Sequence, residues 1–127
     1  MYKGCVCMDY SSFSAYRAQQ KQALISKNYR EIYAHEAAHK AAAGSLGGPI
    51  VVEKNSDGIP VAGHVDIKMP KLNKSNPQET IDHANIVIKS AFAPSDPSGQ
   101  DLKVAAEARS IKSQAEQEKR KHIDYIA

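Results

Sequence analysis

The alanine-rich stretch Tyr29–Ala43 constrains the fold more than any other part of the 127-residue chain. Asn28 stands at its start as a predicted N-cap, and Glu31 follows at the spacing of a capping box. Gly44 ends the stretch, because glycine readily takes the left-handed conformation that closes a helix. The sequence therefore predicts a helix over Tyr29–Ala43, preceded by a separate helix over Ser11–Lys27.

The remaining patterns predict one β-hairpin and two further helices. β-branched residues flank the Asp57-Gly58 turn, and this combination is typical of a hairpin. The predicted elements are strands over Ile50–Glu53 and Ile59–Lys68 and helices over Pro77–Phe92 and Gln100–His122. Together they favour a small α+β fold, mostly helical with one β-hairpin, in a single domain over residues 1–127. We expect residues 1–10 to be poorly ordered or to be the truncated start of a longer protein.

The charge and hydropathy patterns indicate which partners and which cellular compartment to expect. The formal net charge of +3 is spread along the chain rather than gathered in one stripe, so we expect no nucleic acid partner. No apolar run approaches the roughly 20 residues of a membrane span, and no charged leader precedes an apolar stretch. Cys5 and Cys7 are separated by one residue and poorly placed to bridge each other. A reducing compartment, the cytoplasm, is therefore the expected location.

The segment H-E-A-A-H at residues 35–39 has the spacing of a zinc site. Residues four apart lie on one face of a helix, so His35 and His39 can bind one tetrahedral zinc ion. Glu36 projects beside the metal and can act as general base towards a zinc-activated water. The longer metzincin motif is excluded, because Ala42 and Ser45 stand where that motif requires Gly and His. A small zincin-like domain is the resulting prediction.

A catalytic zinc site needs a third protein ligand. His64 is our choice, because it lies on the polar face of the second predicted strand, where a buried structural role suits it poorly. Asp66 shares that face and can ligate instead, or orient the His64 ring. Glu79 at the start of the next helix and His83 one turn later are the other candidates. The predicted metal ligands are therefore His35, His39 and His64, with Zn²⁺ as the cofactor.

The segment Tyr33–Gly44 resembles the A-H-E-x-A-H-x-A-A-G helix of the SprA-related metalloprotease family of bacteria. The Asp57-Gly58 turn and the strand Val61–Ile67 then match a hairpin and a G-G-E-V-x-I-D-like strand. Ala91–Pro94 and Pro97–Asp101 resemble the family's later A-x-A-P motif with its following P-S and Gln-Asp. The resemblance covers about residues 29 to 116 and implies a zinc peptidase fold.

One departure from the family pattern concerns the third ligand. Where the family commonly has Glu in G-G-E-V, this chain has His64, and both side chains can bind zinc. The predicted function is a zinc-dependent metallopeptidase that acts on a peptide or protein substrate, with Glu36 as its catalytic base. The alternative is a non-catalytic zinc-binding or helical protein-interaction module. Because one hairpin offers little wall for a long cleft, we expect a homo-oligomer or a partner protein to complete it.

Overall fold

The computed structural model describes residues 10–126. Its elements in chain order are α1 (Tyr10–Ala43), a 3₁₀ turn (Gly44–Leu46), β1 (Gly47–Lys54), β2 (Pro60–Ile67), α2 (Pro77–Ala91) and α3 (Gly99–Ile126). The prediction of a mostly helical α+β fold with one antiparallel hairpin is confirmed. The hairpin packs on α1, and α1 also contacts α2, which packs most extensively against α3.

The first helix is longer than the sequence patterns predicted. Helix α1 runs without interruption over 34 residues, about 51 Å, so the predicted break at Asn28 is wrong. No glycine or proline occurs between Tyr10 and Ala43, and a capping-box spacing does not by itself end the preceding helix. The Asn28 side chain instead donates from inside the helix to the Pro60 carbonyl oxygen at 3.1 Å. Asn28 therefore anchors the start of β2 on α1.

The predicted end of the helix and the predicted hairpin are both confirmed. Gly44 follows α1 with φ 58°, a conformation that glycine adopts at no steric cost. In the hairpin loop the Asn55 side-chain oxygen accepts hydrogen bonds from the amides of Asp57 and Ile59, both at 3.0 Å. Gly58 has φ 78°, so a glycine closes the turn there. The strands are antiparallel with Val52 opposite Gly63, which fixes the faces of β2 discussed below.

Small side chains form the interface between α2 and α3. Helix α2 begins at Pro77 and ends at Ala91, close to the predicted bounds, and α3 begins one residue before its predicted start. The buried apolar residues of the two helices are Ile81, Ala84, Val87 and Ala91 on α2 and Ala105, Ala108 and Ala115 on α3. Because alanine side chains are short, the two helix axes can approach closely. This packing brings the start of α3 towards α1.

Two predictions concern residues outside or at the edge of the described range. Cys5 and Cys7 lie outside it, as does the predicted N-terminal stretch apart from Tyr10.

Across residues 10–126, none of the helices combines the length and the apolar character that crossing a membrane requires.

Candidate metal centre

Three side chains from two helices converge at one point. His35 and His39 lie one turn apart on α1, and Asp101 lies in the first turn of α3. The two histidine Nε2 atoms are 3.2 Å apart. Asp101 Oδ2 is 3.3 Å from His35 Nε2 and 3.1 Å from His39 Nε2. The three atoms therefore form a nearly equilateral triangle, and this group could hold a metal ion.

The size of this triangle fits a tetrahedral ion. Zinc binds histidine nitrogen and carboxylate oxygen at about 2.0–2.1 Å, so two ligands of a regular tetrahedron lie about 3.4 Å apart. The observed edges of 3.1 to 3.3 Å are close to that separation. Two imidazoles and one carboxylate are also a donor set that zinc commonly takes. The residues present therefore fit a zinc ion in both geometry and chemistry.

His39 is held in one orientation by Ser90 of α2. His39 Nδ1 donates to the Ser90 carbonyl oxygen at 2.7 Å, and the Ser90 hydroxyl donates back to the His39 carbonyl oxygen at 2.7 Å. Both residues are buried. Because a carbonyl oxygen only accepts, the hydrogen of the neutral His39 ring is on Nδ1. Its Nε2 therefore presents a lone pair to His35 and Asp101.

His35 has a longer and more exposed contact on its other side. Its Nδ1 lies 3.4 Å from Oδ1 of Asp96, a residue of the loop between α2 and α3. A carboxylate on the second ring nitrogen favours the tautomer that leaves Nε2 free as an acceptor, as in many zinc-ligating histidines. Lone pairs of His35 Nε2, His39 Nε2 and Asp101 Oδ2 then face one another at little more than 3 Å. Such an arrangement is favourable only when a cation or added protons lie among them.

Asp101 is oriented by the start of its own helix. The Ser98 amide donates to Asp101 Oδ2 at 2.8 Å, and the Asp101 amide donates to Ser98 Oγ at 3.1 Å. This is a reciprocal capping box around the N-terminus of α3. Burial acts to raise the pKa of Asp101, but the hydrogen bonds from Ser98 and the neighbouring His39 and His35 outweigh it, so the pKa lies below its ordinary value. Asp101 is therefore an anion at neutral pH, the state that binds metals.

Glu36 lies beside this group, under the hairpin. Only 8% of its surface is exposed, and it makes no hydrogen bond or ion pair with any residue that the structure describes. An added Cβ at Gly63 would lie 3.1 Å from Glu36 Cγ and 2.5 Å from Ile32 Cγ2. Strand β2 thus crosses α1 at a separation that only glycine allows. A nearly buried carboxylate without a protein partner is costly unless it serves a ligand or solvent in the adjoining cleft.

The structure does not bring His64 to the predicted ligands. The Cβ position of Gly63 points at α1, and successive strand residues point to opposite faces, so His64 lies on the face away from α1. Its Nδ1 is 3.3 Å from Oε1 of Glu53, its neighbour on β1, and its side chain is 46% exposed. The sequence prediction assigns the metal to the polar face of β2, whereas the glycine face is the one that meets α1. In our proposal below, Asp101 replaces His64 as the third ligand.

The other candidate ligands also lie elsewhere. Asp66 is exposed on the same outer face as His64. Glu79 accepts a hydrogen bond from the Asn73 side chain at 3.3 Å at the start of α2. His83 Nε2 donates to the Lys68 carbonyl oxygen at 2.8 Å. None of the three belongs to the His35, His39 and Asp101 group.

Asp101 was not among the predicted ligands. Two signals in the sequence mark it as the third residue of a helix: the spacing Ser98-x-x-Asp101 is that of a capping box, and Pro97 precedes it. Such signals place a carboxylate at a helix start but do not tell which other helix it faces. That information is tertiary, because His35 and Asp101 are 66 residues apart in the chain.

A cleft opens beside two of the three converging side chains, His39 and Asp101. Its volume is about 360 Å³, and its floor includes Glu36, His39 and Asp101. One wall is the continuous run Gly63–Ile67 of β2, and the opposite wall is the first turns of α3. In the described sheet β2 pairs with β1 alone, so its second edge carries no strand. The cleft therefore combines a candidate metal centre, a carboxylate and an unpaired strand.

The fold and this site define a small α+β domain in which a hairpin covers a candidate metal centre between two helices. The chain belongs to the SprA-related family, whose model matches residues 10–122. The match confirms the resemblance to the SprA-related family, and it carries no statement about activity or metal. No curated protein and no solved structure matches the chain.

Proposed function

We propose that this protein is a zinc-dependent peptidase whose metal ligands are His35, His39 and Asp101 and whose general base is Glu36. The observation that carries the proposal is the convergence of three acceptor atoms within 3.3 Å of one another. Ser90 and Asp96 contact the Nδ1 atoms of the two histidines and so favour the tautomers that a metal requires. Outer contacts of this kind are typical of zinc sites.

The number of ligands favours a catalytic site over a structural one. Structural zinc sites usually have four protein ligands, whereas catalytic sites have three and leave one position for water or substrate. Within residues 10–126, the group that could hold a metal has three members. The cleft in front of it gives a substrate access to the same point.

Glu36 supplies the proton transfers in this mechanism. A zinc ion lowers the pKa of a water molecule towards about 7 and polarises a carbonyl group. The Glu36 carboxylate takes one proton from the attacking water as the oxygen adds to the peptide carbonyl carbon. It then gives that proton to the departing amine nitrogen as the carbon–nitrogen bond breaks. Burial of Glu36 under Gly63 keeps the carboxylate next to the cleft rather than in bulk solvent.

The unpaired edge of β2 favours a peptide over a small amide as substrate. An extended peptide can add to a free strand edge through main-chain hydrogen bonds, without regard to most side chains. Five consecutive residues, Gly63–Ile67, line the cleft beside Glu36 and His39. A peptide laid along them would pass over the metal ligands.

The test is a comparison of wild type with Glu36→Gln after both are loaded with zinc. We expect Glu36→Gln to keep one zinc per chain, because Glu36 is not a ligand, and to lose peptide hydrolysis by a factor of about 10² to 10⁴. Metal is measured by mass spectrometry and hydrolysis with a library of quenched fluorescent peptides. The matched control is Glu116→Gln, the same change at an exposed position of α3. It should retain both metal and activity.

Two outcomes would contradict the proposal. Turnover of Glu36→Gln at the wild-type rate would remove Glu36 from the mechanism. A wild-type protein that takes up no zinc would remove the metal centre and leave the helical interaction module as the better reading. Zinc uptake without hydrolysis of any peptide in the library would instead favour a non-catalytic zinc-binding module.

A further inference from the structure

A second cavity opens on the other side of the candidate metal centre. Its volume is about 240 Å³, and it is more open to solvent than the cleft. The residues that line it are Glu31, Ile32, His35, Glu36, Gly63 and Asp96. The cleft and this second cavity share Glu36 and Gly63, whereas His39 lines the cleft and His35 lines the second cavity. The two histidines of the centre therefore border different openings.

The shared residues show where the two spaces meet. Strand β2 crosses α1 at Gly63, where an added Cβ would contact Ile32 and Glu36, two residues one turn apart. The cleft extends from this crossing along Gly63–Ile67. The second cavity extends from the same crossing towards Glu31 and Ile32, on the N-terminal side of Glu36. The two spaces therefore lie on opposite sides of Glu36 along α1.

Glu36 lies at one end of the strand wall of the cleft, not at its middle. Gly63 is the first residue of the run Gly63–Ile67, which corresponds to about 13 Å of extended chain. A peptide paired with this run has a bond beside Glu36 only at the Gly63 end. The residues on the far side of that bond then lie beyond Gly63, where the second cavity is. The cleft by itself accommodates the substrate on one side of the bond only.

Neither space offers a strong partner for a free end of a peptide. Among the described residues that line them there is no lysine or arginine, so a terminal carboxylate would lose its hydration without gaining a cation. Glu31 and Asp96 border the second cavity and could attract a terminal amine. Both are exposed, however, and ion pairs at exposed positions contribute little.

From these observations we infer that a bound peptide spans the centre, with one part in the cleft and the other in the second cavity. The bond that is cut is then internal to the peptide, and the enzyme is an endopeptidase. The inference rests on the proposed function in so far as the peptide is cut. The spanning arrangement itself is a property of binding, and it can be measured without hydrolysis.

The first measurement locates a bound peptide on Glu36→Gln protein loaded with zinc. The probe is a short alanine-based peptide, acetylated at one end and amidated at the other, with a benzophenone group near either end. After irradiation, digestion and mass spectrometry identify the labelled segments. We expect one end to label the cleft around Met69 or Val104 and the other end to label α1 around Glu31 and Ile32. Labelling of the same space by both ends, or of neither space, would overturn the inference.

A bulky substitution in the second cavity tests the same arrangement by affinity. Glu31 is exposed and borders the second cavity but not the cleft, so we expect Glu31→Trp to weaken binding of the complete peptide about tenfold. A peptide shortened at the end that labels α1 should bind with and without this change equally well. The matched control is Arg30→Trp, at an exposed neighbouring position that borders neither space, and it should change neither affinity. Unchanged binding of the complete peptide to Glu31→Trp would count against the spanning arrangement.

Hydrolysis separates this inference from the proposed function. Wild type should cut a peptide with both ends blocked at an internal bond, at a rate similar to that for the same peptide with free ends. If wild type instead removes single residues from a free end and leaves blocked peptides intact, the peptidase proposal stands and the inference falls. If a peptide labels both spaces but wild type hydrolyses no peptide, the spanning arrangement stands and the peptidase proposal falls.

Discussion

At the scale of single residues, Ser90 has an unusual position, because it forms hydrogen bonds with both the ring and the main-chain carbonyl of His39. Its carbonyl oxygen accepts from the ring and its hydroxyl donates to the main chain, both at 2.7 Å. Ser90 has no exposed surface, so solvent does not compete for either bond. Helix α2 contributes no ligand, yet it sets which nitrogen of His39 faces Asp101.

The identity of the third ligand can be tested by paired substitutions. Asp101→Asn keeps the shape of the side chain and an oxygen that can accept from Ser98, but it removes the charge that binds a metal. We expect it to weaken zinc binding by more than the roughly 10- to 100-fold loss that follows changes in outer-shell partners. His64→Ala should retain about wild-type zinc affinity, because His64 contacts Glu53 instead. Zinc affinity is measured by competition with a chelating dye.

The opposite pattern would restore the ligand set predicted from the sequence. If His64→Ala loses zinc and Asp101→Asn keeps it, β2 must turn its outer face, which carries His64, towards the α1 histidines when the metal binds. The spacing of His35, Glu36 and His39 follows from helix geometry, so the sequence sufficed to place those three together. The sequence could not select among distant carboxylates and imidazoles, because that choice depends on which strand face meets the helix.

At the scale of secondary-structure elements, Gly63 sets the distance between β2 and α1. Most bounds were predictable, because the Pro77 start of α2, the Gly44 stop and the Asp57-Gly58 turn are local signals. The role of Asn28 could not be predicted from local patterns, because its side chain forms a hydrogen bond with a residue 32 positions away. Local patterns also gave no warning of how closely the hairpin approaches Glu36.

Gly63→Ala should therefore destabilise the protein and disturb the site. The added methyl would lie 2.5 Å from Ile32 Cγ2, so the hairpin or Ile32 must shift. Overpacking of this kind costs about 1–3 kcal/mol in the free energy of unfolding, measurable by urea denaturation. We also expect a lower rate of hydrolysis, because Glu36 is the second neighbour of the new methyl. Zinc binding should change little.

Two further variants make this prediction specific. Gly99→Ala is the control, because an added Cβ there meets nothing within 4 Å, and it should leave stability unchanged or slightly raised. Ile32→Ala removes the Cγ2 atom, so the double variant with Gly63→Ala should lose less stability than the sum of the two single variants. Strict additivity would show that the two residues do not compete for the same space.

At the scale of the whole molecule, the candidate metal centre joins the two ends of the fold. His35 and His39 come from the hairpin-covered helix α1, and Asp101 comes from the helix pair α2 and α3. Apart from this group, the link between those two halves includes the buried His39 and Ser90 pair. The contribution of α3 to the centre could not be predicted from the sequence, because the packing of α2 on α3 decides where the start of α3 points.

Zinc should therefore stabilise the fold as a whole. An ion that binds the native state and not the unfolded chain adds about 2.7 kcal/mol when its concentration is 100 times its dissociation constant. For a domain of this size we expect the melting temperature to rise by on the order of 10 °C. Differential scanning fluorimetry with added zinc measures it. Magnesium should have little effect, because it prefers oxygen ligands to imidazole.

The pattern among variants distinguishes a bridging ion from zinc bound elsewhere on the surface. Asp101→Asn leaves the two α1 histidines in place but removes the contribution of α3, so the rise in melting temperature should largely disappear. His83→Ala removes a histidine that bonds the Lys68 carbonyl oxygen, away from the centre, and the rise should persist. A rise that is equal in wild type and Asp101→Asn would mean that zinc binds α1 alone. The two halves of the molecule would then be held together by protein contacts only, and the ion would have no part in their relative position.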